Sequence, residues 1–168
     1  MRVEKQIEQE FTRAFEEYSD AIFRHCLFKV SHRETALDLV SETFRKTWEK
    51  ASTGENIRNY RAFLYRAANN LIIDYYRRKK ELVFDDDQQA ENSFVSEDLS
   101  GTHTEYALAL QRLNELDEKY LDPVFMRHVQ DFGVSEIAEI LAESENTISV
   151  RINRGLAQLR KKLEKSKD

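Results

Sequence analysis

Four glycines and one proline are the only strong helix breakers in 168 residues. A β-rich fold needs a tight turn roughly every eight to twelve residues, and those turns draw heavily on glycine and proline. A chain this poor in both is built from long helices. Its length allows one medium domain or two small ones.

The apolar residues recur at helical spacing and in blocks. Ile7, Phe11, Phe15, Tyr18, Ile22 and Cys26 mark a first helix over about 3–29. After a break at Ser31-His32, Leu37, Val40, Phe44 and Trp48 mark a second. Following the loop at 52–56, Tyr60, Phe63, Leu64, Ala67, Leu71 and Tyr75 mark a third over about 59–80. These three are expected to close one bundle. Periodicity then lapses over 81–103, which reads as a polar linker. It resumes near Glu105 with Leu108, Leu110, Leu113 and Leu116. Asp122-Pro123 reads as the start of a further helix, a cap followed by proline at the first helical position. A short helix from Ser135 follows Gly133, and another helix begins at about 144–147 and runs into a basic tail. The expected fold is all-α, with helical domains at 1–80 and 104–168 joined by an acidic linker at 81–103.

A formal charge of −5 would argue against a nucleic-acid partner if it were evenly spread. It is segregated. Residues 58–80 hold seven Lys or Arg against Asp74 alone, and 147–168 hold seven against Glu164 and Asp168. Between them, 81–105 hold eight acids and no Lys or Arg. Two basic patches around an acidic strip suit a polyanionic partner better than the mean charge suggests. No apolar run is long enough to span a membrane, and the charged N-terminus is not a signal sequence, so membrane insertion is not expected and a cytoplasmic location is. The single cysteine, Cys26, excludes an internal disulfide and reads as a small buried hydrophobe. Histidines 25, 32, 103 and 128 are scattered and no carboxylate or Cys/His cluster has metal-ligand spacing, so neither enzyme activity nor a cofactor is expected.

Three segments carry function. From Val134 to Leu163, a short helix bearing Ile137, Ala138 and Leu141, a turn, and a longer helix bearing Ile148, Ile152 and Leu156 make a helix-turn-helix. Small Ala138 suits the point where two such helices cross. The second helix offers Thr147, Ser149, Val150, Arg151, Asn153 and Arg154 to base edges in a major groove. Read blandly, the same segment is a helical hairpin with a solvated tail. The segment NYRAFLYRAANNLIIDYYRRKK interleaves aromatics with cations, a pattern that suits unpaired bases, although an aromatic core stripe with a wet basic end gives it too. Along ALDLVSETFRKTW, the face bearing Asp38, Ser41, Glu42 and Arg45 says little by itself.

Taken in order, the three blocks resemble the extracytoplasmic-function sigma factors of the sigma-70 family. Those carry A-x-D-L-V-Q-E-T-F-x-x-x-W, then W-L-Y-R-I-A-x-N-x-x-x-D-x-x-R, then E-I-A-x-x-L-G-x-S-x-G-T-V-x-S-R-x-x-R-A. This chain reads ALDLVSETFRKTW at 36–48, FLYRAANNLIIDYYR at 63–77 and EIAEILAESENTISVRINRG at 136–155. Ser41 stands where Gln is usual, Phe63 for Trp, Ala142 for the turn glycine, Glu143 for an apolar residue, and Ser149-Val150 for a Lys/Arg-Ser pair.

The resemblance implies a subunit that binds core RNA polymerase at the β′ clamp and β flap, recognises promoter DNA and helps open it. It assigns Leu37, Asp38, Ser41, Glu42 and Arg45 to polymerase. Arg61, Tyr65, Arg66, Asn69, Asn70, Arg77 and Arg78 go to the −10 element, with Asn70 near the pocket for a flipped base. Thr147, Ser149, Val150, Arg151, Asn153 and Arg154 go to the −35 element. It also implies an acidic linker running through the RNA exit region, and an anti-sigma factor is a frequent further partner in the family. The alternatives are a stand-alone helix-turn-helix regulator that binds an operator and a helical protein-interaction module. The N-terminal basic-aromatic helix, with no dimer-zipper pattern, favours the promoter subunit.

Overall fold

The computed structural model describes residues 2–83 and 104–166, and every described element is helical. The helices are α1 (Arg2–Val30), α2 (Arg33–Ser52), α3 (Tyr60–Val83), α4 (Thr104–Asn114), α5 (Glu118–His128), α6 (Val134–Leu141) and α7 (Glu145–Lys165). They fall into two compact units that divide after Ser93. The acidic linker expected at 81–103 lies outside the described residues, except for 81–83, which prolong α3.

In the first unit α1 packs on α2 and α3, and α2 on α3. The expected break between α1 and α2 has a local cause. Ser31 takes a left-handed backbone (φ 54°), and the His32 side chain then caps α2 by accepting the Thr35 N–H at 3.3 Å. The α1–α2 seam is aromatic. Phe11 meets Trp48 edge-on at 5.1 Å and Phe15 meets Phe44 at 4.9 Å, contacts worth about 0.5–1.5 kcal/mol each beyond their buried area. Deeper in, α2 buries Ala36, Leu39, Thr43, Phe44, Thr47 and Ala51. The two threonines tolerate burial because their hydroxyls donate to the carbonyls of Leu39 and Thr43, both at 2.7 Å. Leu37, read from periodicity as a core residue, is instead 46% exposed. The inward stripe runs through Ala36 and Leu39, which turns Leu37 toward the polar face.

In the second unit α5 and α6 both pack on α7. Leu110, Leu113 and Leu116 are buried as their spacing suggests, whereas Leu108 is exposed. The expected helix start at Asp122-Pro123 is not where α5 begins. It starts earlier, at Glu118, and carries Pro123 buried in its interior. The α7 side chain of Gln158 accepts the Asp117 N–H at 3.0 Å, so a partner distant in sequence anchors this helix end. Proline's missing N–H removes one ladder bond, a loss that the packing of α5 on α7 outweighs.

Between α6 and α7 the turn hinges on Ala142, whose φ of 54° and ψ of 44° are left-handed. Its geometry closes the end of α6, with the Glu143 N–H donating to the Ala138 carbonyl at 3.0 Å. Ser144 then caps α7 by accepting the Thr147 N–H at 3.1 Å. An L-residue with a Cβ is disfavoured in this conformation by roughly 1–2 kcal/mol, and glycine is not. Ala142 is exposed, so its methyl has little packing to lose. Ala142→Gly is therefore expected to stabilise the second unit by about 1 kcal/mol once glycine's larger unfolded-state entropy is subtracted. A urea midpoint that rises at unchanged slope is the expected readout; a lower midpoint would show that the methyl makes a contact outweighing the strain.

Candidate nucleic-acid interface

Helix α2 turns Leu37, Asp38, Ser41, Glu42 and Arg45 outward together, with Glu42 half-buried and the others exposed. Spacings of three and four keep them on one face. Arg45 organises it, donating to both Glu42 oxygens at 2.8 and 2.6 Å and pairing one turn on with Glu49. The Arg45 hydrogen bond holds the Glu42 carboxyl below the usual carboxylate range, against a smaller opposing effect of burial. With Asp38 and Glu49, the face stays acidic after Arg45 has neutralised one charge.

Helix α3 divides the residues expected at the −10 element into two groups. Tyr65 and Asn69 point inward, 3% and 5% exposed. Asn69 Oδ1 is hydrogen-bonded to Nε2 of fully buried His25 at 2.8 Å, and the Tyr65 ring lies edge-on to His25 at 5.1 Å. Burial raises the Tyr65 hydroxyl above its ordinary pKa. Neither side chain is available to a base, which corrects the expectation for both. The reason is the helical period: 62, 65, 69 and 72 make one stripe, and its buried residues Ala62 and Ile72 face the bundle. Asn70, one position on, is exposed, as are Arg66, Arg77 and Arg78, while Arg61 is half-buried. Arg77 pairs with Asp74 at 2.8 Å. Tyr76 donates its hydroxyl to the Lys29 carbonyl, tying α3 to the end of α1, and Lys50 lies over the Phe63 ring at 5.5 Å. Several aromatics of this segment thus serve the bundle.

On α7, Asn153 and Arg154 are exposed, Val150 is 37% exposed, and Thr147, Ser149 and Arg151 are half-buried. Arg151 pairs with Glu143 in the turn at 3.2 Å, and the Thr147 hydroxyl lies 2.8 Å from that of Ser144 in the cap. Tyr120 and Lys119 at the start of α5 line a groove with Asn146, Thr147, Val150, Arg151 and Arg154. Lys119 stands outside the residues expected from the motif. No local pattern marks it, because only the crossing of α5 over α7 brings it to the groove that Arg154 also lines. That crossing is set by Gly155, where an added Cβ would lie 2.6 Å from Val124 Cγ2 and 3.0 Å from Tyr120 Cβ.

Among the described residues no group of His, Cys, Asp or Glu could hold a metal ion, and no helix is long and apolar enough to cross a membrane. Cys26 is buried, and burial pushes its thiol up to about 12.

A helical bundle with an outward acidic helix face and an adjacent basic, amide-bearing helix, followed by a separate helix-turn-helix unit, is an architecture of DNA-binding proteins. The model for sigma-70 region 2 matches residues 14–81 and that for sigma-70 region 4 matches residues 106–159. The chain belongs to the sigma-70 family, in its extracytoplasmic-function group. It is 28% identical to the RNA polymerase sigma factor SigV of Bacillus subtilis, across 89% of this chain and 88% of that one. It is 27% identical to the ECF RNA polymerase sigma factor SigW of the same organism, across 96% and 93%. Its fold resembles the sigma factor RpoE solved in complex with the anti-sigma factor NepR from Bartonella quintana. There the TM-score is 0.73 at 21% identity, over 93% of this chain and 98% of that one.

Proposed function

We propose that this protein joins core RNA polymerase, recognises a promoter and helps open it, with no catalytic chemistry of its own. The observation that carries the proposal is the order of region 2 and region 4 along one chain, each on a separate compact unit. Residues 1–80 take core polymerase and the −10 element, the acidic segment 81–103 links the units, and residues 104–168 take the −35 element. Leu37, Asp38, Ser41, Glu42 and Arg45 form the polymerase contact at the β′ clamp. Asn70, Arg66, Arg77 and Arg78, with half-buried Arg61, form the −10 contact. On the −35 side, Ser149, Val150, Asn153 and Arg154 are the base-facing group. Thr147 and Arg151 act mainly by holding the turn and helix start, because each already has a partner there. The β flap is a second polymerase contact, an anti-sigma factor is a further partner, and the cytoplasm is the site of action.

The test is transcription in vitro with purified core polymerase. Promoter-dependent transcripts are expected with both subunits and with neither alone. An operator-binding regulator, the competing reading, would bind DNA without polymerase and start no transcript. Asp38→Ala with Glu42→Ala is expected to weaken recovery of core polymerase at least tenfold while leaving helicity and melting unchanged. Asp38 is exposed and the Glu42–Arg45 pair lies on the helix surface, where such a pair contributes about 0–1 kcal/mol to folding, so the loss of charges that meet a partner's basic surface falls mainly on binding. Undiminished recovery by the double variant would move the polymerase contact off α2.

A further inference from the structure

Ile73 is 63% exposed in the middle of α3. Single exposed apolar residues are common on protein surfaces, but the surroundings of this one are not neutral. At spacings of four, three and four it shares one helix face with Arg66, Asn70 and Arg77, and Arg78, Lys79 and Lys80 follow. All are exposed, and although Asp74 neutralises Arg77 the balance stays positive, so Ile73 is an apolar spot inside a cationic strip. The charge of that strip fits the phosphate backbone of DNA, and Asn70 one turn away fits a base edge. A helix lying in a groove between two phosphate rows presents its mid-face residues to base edges. The apolar group that duplex DNA displays in the major groove is the 5-methyl of thymine.

We propose that Ile73 is a specificity-determining residue that reads a thymine methyl in the duplex one step from the base contacted by Asn70. The inference rests on the promoter-binding reading of this helix. A wedge driven between base pairs is the other use of an exposed isoleucine, and the geometry disfavours it. Ile73 stands more than two turns from either end of α3, so the helix turns on both sides of it would meet the DNA before its side chain entered the stack.

The experiment uses the full-length protein with core polymerase on a promoter it recognises, selected from a library randomised through the −10 element and its upstream flank. Each duplex thymine is replaced in turn by deoxyuridine, which lacks only the methyl group. With wild-type protein, one replacement is expected to weaken competitive promoter binding roughly fourfold, the value of one buried methyl group. With Ile73→Ala, thymine and uracil templates should bind alike at that position, while Ile73→Val should keep most of the difference. If no thymine is sensitive, or if the sensitivity persists in Ile73→Ala, the proposal is wrong. A defect of Ile73→Ala that is equal on thymine and uracil templates, and that disappears on a template already unpaired across the −10 element, would identify a wedge and overturn methyl reading. Absence of any promoter-dependent initiation by the wild-type protein would remove the sigma-factor reading itself, and that result is distinct because it precedes any comparison of templates.

Discussion

Asn70→Ala is expected to leave the first unit as stable as wild type and duplex promoter binding nearly intact, while slowing strand separation about tenfold or more. Asn69→Ala is expected to do the reverse. The two adjacent asparagines lie in different environments. Asn70 is exposed beside Arg66 and Arg77, where it has no evident structural task. Capturing an extruded base must offset a flipping cost of a few kcal/mol, and losing one good base contact removes about 1–3 kcal/mol of that compensation. Asn69 is 5% exposed and bonded to His25 inside the bundle. Truncating it deletes a buried hydrogen bond between α1 and α3, at about 1–3 kcal/mol. Thermal melting separates the pair on stability, and permanganate reactivity of unpaired thymines separates them on opening. Normal opening by Asn70→Ala would remove it from the flipped-base pocket. A melting temperature unchanged in Asn69→Ala would show that the His25 bond contributes nothing net.

The second large effect is expected at Gly155. Alanine there should gain about 0.5–1 kcal/mol of helix propensity, yet its Cβ would press on Val124 and on the Tyr120 Cβ, which is close to the backbone and cannot swing away. Overpacking of this kind costs about 1–3 kcal/mol, so Gly155→Ala is expected to destabilise the second unit on balance. Gly155→Leu is expected to prevent α5 and α7 from docking. Hydrogen exchange of amides in these two helices localises the effect. Adding Val124→Ala should recover part of the loss in Gly155→Ala, because the two sites share one contact and are not additive. Binding at the −35 element, the role proposed for α7, should weaken in step, since α5 helps form the groove that Val150 and Arg154 line. Protection unchanged in Gly155→Leu would mean that the crossing is looser than the 2.6 Å approach implies.

The same crossing shows why parts of the site escaped sequence reasoning. Thr147 to Arg154 could be assigned from a motif because consecutive turns of one helix carry them. Lys119 could not, since the α7 residues that line its groove lie at least 27 positions away in sequence and the close approach of α5 to α7 depends on a missing side chain at Gly155. Tyr65 and Asn69 failed for a related reason. Residue type placed them with the base-binding group, whereas a helix face is set by angle, and one step along the chain turns a side chain by about 100°. Polar Asn69 can occupy the interior because His25, forty-four residues earlier, supplies its partner.

Helical class, the break at Ser31-His32, the two basic patches and the order of the motifs all follow from local information: breaker scarcity, apolar spacing, capping residues and charge along the chain. These act over a few residues and can be read without knowing what lies opposite. Burial belongs to pairs of elements. The inward turn of Tyr65 and Asn69, the exposure of Leu37, the early start of α5 with Pro123 inside it and the place of Lys119 beside α7 each depend on a partner distant in sequence. Local propensities differ by at most about 1 kcal/mol per residue outside proline, whereas burying one large side chain is worth about 1.5–3 kcal/mol, so packing prevails wherever the two conflict.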